Sequence, residues 1–136
     1  MLDPRDIRRV AAAAGRASAL YFKVSPEWCV EFELSEHEQQ SEHSPALIDI
    51  AHGYLFAQIH LVPDRHDSLE EVWCNVGHEM AHLVTNEVNA LMLDVSEPIN
   101  DQLRRAIERA TVRMERMFER DCPYPGDAAF ARKRPA

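Results

Sequence analysis

Apolar and polar positions follow two rhythms along this chain, and the switches between them outline its elements. From Asp3 the pattern is helical: Asp3 stands as an N-cap and Pro4 at the first helical position. Ile7, Val10, Ala14 and Ala17 then recur on one face to about Ala19. Trp28 to Leu34 alternates, with Trp28, Val30, Phe32 and Leu34 against Cys29, Glu31 and Glu33, as a half-buried strand does. Residues 35–46 are polar and read as a loop, in which His37 and His43 are solvated. Leu47 to Ala51 fits a short second strand. Tyr54 to Leu61 fits a third, with Leu55, Ala57, Ile59 and Leu61 opposed to Tyr54, Phe56, Gln58 and His60.

The helical rhythm returns after Ser68. Ser68-Leu69-Glu70-Glu71 is a capping box, a serine followed three residues later by glutamate. Leu69, Val72, Trp73, Val76, Met80, Leu83 and Val84 follow at three- and four-residue spacing as one apolar stripe. Residues 86–95 connect to a second long helix from about Ser96 to Arg120, whose stripe is Leu103, Ile107, Ala110, Met114, Met117 and Phe118. Beyond it, the Pro123, Pro125 and Gly126 cluster ends regular structure. Strands followed by helices predict an α+β fold, a small sheet of three strands packed on one central helix, with helices at either end of the chain.

That central helix carries His78-Glu79-Met80-Ala81-His82, an H-E-x-x-H motif. Residues four apart lie on one helix face, so both imidazoles can reach one Zn²⁺. Glu79 lies beside the first histidine and can reach a water on the ion instead, the arrangement of a zinc hydrolase. At 100° per residue the histidine pair falls nearly opposite the apolar stripe, so it is not part of the core face. Gly77 and Ala81 on one flank leave room for another element to approach closely.

An open zinc site needs a third protein ligand. The extended motif that supplies a third histidine would need glycine and histidine where this chain has Thr85 and Val88, so a downstream carboxylate is the remaining common solution. Glu108 and Glu115, seven residues apart, share one flank of the second helix. Periodicity does not choose between them. Asn75, and either Asp94 or Asp101, are the expected acceptors for the far nitrogens of the histidines.

The run Ala57-Gln58-Ile59-His60-Leu61-Val62-Pro63, then Leu69-Glu70-Glu71-Val72, then His78-Glu79-x-x-His82-Leu83 resembles the small phage and prophage metallopeptidases. Glu108-Arg109-Ala110-Thr111-Val112-Arg113-Met114 is similar to the glutamate with basic and aliphatic neighbours on their second helix. The resemblance covers about residues 28–118 and implies a minimal gluzincin-like zincin that binds Zn²⁺ through His78, His82 and Glu108, with Glu79 as the catalytic base. More distantly the chain resembles the immunity-repressor peptidases of mobile elements. It departs from larger gluzincins in having no identifiable downstream tyrosine or histidine to hold an oxyanion.

Composition narrows the setting. At 136 residues and 46% hydrophobic, one domain over residues 1–122 can bury a core, followed by a Pro/Gly-containing basic tail at 123–136. The net charge of −8 disfavours a nucleic-acid role. No apolar run is long enough to span a membrane, and the N-terminus lacks a secretory pattern. Three cysteines without C-x-x-C spacing argue for a reducing, cytoplasmic setting and against a cysteine-based zinc site, with Cys74 as a buried structural thiol. The expected partner is a protein or peptide substrate, captured by strand addition to a free edge of the Tyr54–Leu61 strand. The competing expectation is a non-catalytic zincin fold that binds zinc and a partner.

Overall fold

The computed structural model describes residues 1–35, 44–91 and 97–131, with side chains described for 1–35, 44–86 and 101–131. The described elements are α1 (Pro4–Tyr21), β1 (Cys29–Leu34), β2 (Ala46–Ala51), β3 (Phe56–Leu61), α2 (Leu69–Leu91) and α3 (Glu97–Asp121). The fold is α+β, three helices with a three-stranded mixed sheet, and α2 packs on the sheet. His37, His43 and Asp94 lie outside the described residues.

Local chemistry starts the helices where the sequence marks them. Asp3 accepts a hydrogen bond from the Arg5 N–H at 2.8 Å, and Pro4 opens α1. Ser68 Oγ accepts from the Glu71 N–H at 3.2 Å. The reciprocal half of the capping box is displaced by one residue, because the Glu71 carboxylate takes the Asp67 N–H at 2.9 Å. β3 begins later than its alternation suggests. His52–Tyr54 form a 3₁₀ turn, and Leu55 follows in the left-handed region at φ 50°.

The sheet order is β1-β3-β2, with β1 parallel and β2 antiparallel to β3. This overturns the expected free edge of β3: that strand is central and paired on both sides, and the edges belong to β1 and β2. The reason is burial. Ala57, Ile59 and Leu61 of β3 are fully buried, whereas β1 alternates only between exposed and half-buried positions.

α2 forms the axis of the core. Val72, Val76, Met80 and Leu83 are buried with Ile7, Val10 and Ala14 of α1, and each of these side chains larger than alanine contributes roughly 1.5–3 kcal/mol. On the other side α3 comes close at Gly77. A Cβ there would lie 2.6 Å from the Phe118 ring, so the small residue permits the contact. The face that α3 presents is rotated from its sequence stripe. Thr111 and Phe118 are fully buried, while Ala110 is exposed and Met117 is 46% exposed. Thr111 is tolerated because its hydroxyl donates to the Ile107 carbonyl at 2.8 Å and meets Thr85 Oγ1 at 2.9 Å. Past α3, Tyr124 and Phe130 stack on each other and lie against Trp73.

Candidate metal centre

His78 and His82 stand one turn apart on α2, and their Nε2 atoms face each other at 3.0 Å. Two nitrogens sharing a tetrahedral ion at about 2.0–2.1 Å each would sit roughly 3.3 Å apart. Glu108 of α3 completes the group: one ligand atom from each of His78, His82 and Glu108 lies within 4.8 Å of the others. The tight approach of α3 at Gly77 is what brings a glutamate so far along the chain to the histidines.

Glu115, the second candidate carboxylate, takes a different place. Its Oε2 lies 2.7 Å from His78 Nδ1, the nitrogen facing away from His82. A carboxylate there fixes the ring's orientation and keeps the proton on Nδ1, which leaves Nε2 directed at Glu108 and His82. The two flank glutamates, inseparable by periodicity, stand about two turns of α3 apart and take different places.

Of the expected acceptors, the two that are described, Asn75 and Asp101, do not serve the site. Asn75 Nδ2 donates to His66 Nε2 at 3.0 Å, and His66 Nδ1–H donates to the Val62 carbonyl at 2.8 Å. That chain ties the start of α2 to the end of β3. Asp101 is exposed near the start of α3 and makes no described contact with the histidines. The partner of His78 was present in the sequence as Glu115, but nothing local marked its role.

Electrostatics distinguish the members. The hydrogen bond that His78 donates to Glu115 raises the pKa of His78 against the opposing effect of burial. Burial, with the charge of His78, lowers that of His82. Burial pushes Glu79 up to about 7, with Glu108 and Glu115 adding to the rise and His78 and the Ile48 N–H opposing it. Burial likewise pushes the Cys74 thiol up to about 12, so it is no nucleophile at neutral pH.

A cleft of about 430 Å³ runs beside this group, lined by Ser44 and residues 46–50 and by His78, Glu79, His82 and Asn86. Its wall is β2. The Val62 N–H donates to the Pro45 carbonyl at 3.0 Å, so the odd-numbered residues of β2 bond to β3. Ile48 and Ile50 therefore turn their backbone groups to the open edge, and the Ile48 N–H is the one that meets Glu79. Among the described residues no strand pairs with that edge. The donor set, two imidazoles and a carboxylate converging beside a buried glutamate, fits a divalent ion such as zinc.

Among the described residues, no helix is long and apolar enough to cross a membrane. No protein-family model, curated protein or solved structure matches the chain. What this geometry supports is a small α+β protein with a candidate His-His-Glu metal site.

Proposed function

We propose that the protein is a zinc-dependent metallopeptidase of the small phage and prophage type, acting on a protein or peptide substrate. One observation carries the reading: Glu79, only 8% exposed, stands between the convergent His78/His82/Glu108 group and the open edge of β2. A proton acceptor is thus placed where an ion and an extended peptide would meet.

His78, His82 and Glu108 would hold the ion, and Glu115 would keep His78 turned towards it. When bound, such an ion acidifies water and polarises a carbonyl. The Ile48 carbonyl and the backbone groups of Ile50 stand at the open edge and orient an extended chain by strand addition, which moves the docking edge from β3 to β2. Glu79 then accepts the proton of the attacking water and returns it to the leaving amine.

A non-catalytic zinc-binding module is the second reading, and the cleft lining favours it in one respect. Apart from His78 and His82, its described lining contains no histidine, tyrosine or arginine to hold an oxyanion. Glu79→Gln separates the two readings, since it preserves shape but cannot accept the proton. Hydrolysis is expected to fall about 10²–10⁴-fold with zinc still bound. The measurement is a proteome-wide cleavage screen in the native host, wild type against variant. Identical cleavage profiles with zinc retained in both would replace the peptidase by the binding module.

A further inference from the structure

α3 carries a surface that its own fold leaves uncovered. Arg105, Arg109, Arg113, Arg116 and Arg120 are all exposed, and at 100° per residue they fall within an arc of about 80°. The row is about 22 Å long and points away from the core face of Thr111 and Phe118. Arg120 is paired with Asp121 at 2.8 Å, and Arg116 acts on Glu119. The side chains of Arg105, Arg109 and Arg113 make no hydrogen bond or ion pair with a described residue. A chain of net charge −8 thus concentrates positive charge on one helix face.

An apolar row borders the arginines. Ala106, Ala110 and Met117 lie on the adjoining flank and are exposed, Met117 by 46%. Ala110 and Met117 belong to the helical apolar stripe of the sequence, which is therefore wider than the face that α2 covers. An apolar row beside a basic row, both open, is complementary to a helix with an apolar row beside an acidic one.

We propose that this face of α3 docks an acidic amphipathic helix of a partner protein. The width of the surface selects that occupant. One helix, about 10–12 Å across, covers the arginine and apolar rows together. A DNA duplex receiving α3 in its groove would bring phosphates against the opposite flank, where Glu108, Glu115 and Glu119 repel them. A second α3 would set arginine against arginine. A membrane surface would receive only two alanines and one methionine, too little to insert. The surface does not depend on the peptidase reading, because neither the metal ligands nor Glu79 belong to it.

The test is fluorescence anisotropy on the full zinc-loaded chain. The probe is a fluorescein-labelled 21-residue peptide with leucines at helical a and d spacing and glutamates at i, i+4 beside them. Controls are the same peptide with lysine for glutamate, a 20-base-pair DNA duplex, and vesicles containing phosphatidylserine. Micromolar binding of the glutamate peptide alone is expected, weakening with added salt. It should fall by about tenfold or more in the Arg105→Glu, Arg109→Glu, Arg113→Glu triple variant, and again in Met117→Lys. Both variants are checked for zinc content and circular dichroism, and the glutamine triple variant replaces the first if it misfolds. Glu79→Gln should bind the peptide as wild type does, so loss of the peptidase reading leaves this one standing. Absence of peptide binding, equal binding by wild type and triple variant, or tighter binding of duplex or vesicles would overturn the proposal.

Discussion

On the outer face of the sheet His60 lies between Asp49 and Glu33; on α2, His78 and His82 lie between Glu108 and Glu115. The residue types are the same and the arrangements are opposite. His60 Nε2 meets Asp49 at 2.9 Å and Nδ1 meets Glu33 at 3.4 Å, so the imidazole ring separates its two carboxylates. Three strands each contribute one side chain there, in a flat row across the sheet. The helical pair shares one face, so two nitrogens point at the same space, and α3 adds a carboxylate to that space and another behind it. Histidine and carboxylate in proximity do not make an ion site. Convergence does, and the four-residue helical step supplies it where the sheet cannot.

The largest expected effect breaks the comparison outright. His78→Ala with His82→Ala should abolish stoichiometric zinc binding, read by elemental analysis after dialysis, while His60→Ala keeps one ion per chain. The folded double variant should also lose the thermal stabilisation that zinc confers by mass action. Retention of zinc by the double variant, or its loss in His60→Ala, would refute the assignment.

Next comes the carboxylate behind the ring. Glu115→Gln can still accept the Nδ1–H of His78 but without charge. A drop in zinc affinity of about tenfold is expected, at the low end of the 10–100-fold range for such supports. Glu33→Gln, the corresponding change on the sheet, should leave competition titrations with a chelating dye unchanged. Equal affinities for wild type and Glu115→Gln would remove Glu115 from the site.

Burial separates Glu79 from the carboxylates of the sheet as well. Glu79 is 8% exposed and is raised from 4.5 to about 7. The folded state therefore holds its proton more tightly than the unfolded chain does. Its contribution to stability is present below about pH 4.5 and is lost as pH rises through about 7. In chelator-stripped protein, Glu79→Gln should be more stable than wild type by on the order of 2 kcal/mol at pH 8, with the gain vanishing near pH 4. Urea unfolding at the two pH values measures it, and a gain that grows towards acid would contradict the assigned shift.

The smallest effect belongs to the outer cluster. The Asp49 side chain is 70% exposed, so Asp49→Asn should change stability by less than about 1 kcal/mol and zinc affinity not at all. A larger loss in the same urea measurement would mean that the open sheet face is more than a solvated row.

Much of this was legible along the chain because the signals are local. Asp3-Pro4 and Ser68-x-x-Glu71 act within one helical turn, and the His78/His82 pair needs only four residues of helix to share a face. The choice of Glu108 came from a likeness between short motifs. In the folded molecule Glu108 is the carboxylate gathered with the histidines, and no other His, Cys, Asp or Glu among the described residues joins such a group. What stayed hidden required two elements at once. Alternation places Ala57, Ile59 and Leu61 on an inward face but is the same for a central strand and an edge, so β3 could not be told from β2 as the free one. Asn75 lies one turn before His78, yet its partner is His66, supplied by the segment after β3.

The sequence by itself determined where the helices start, which face of α2 enters the core, and that two imidazoles share the other face, because each depends on periods of two or 3.6 residues. Tertiary structure decided which strand is left open beside Glu79, which glutamate gathers with the two histidines and which holds His78, and which arginines stand uncovered. Those outcomes depend on the close approach of α3 to Gly77 and on the order of strands in the sheet. Both are distances between parts of the chain that no local period relates.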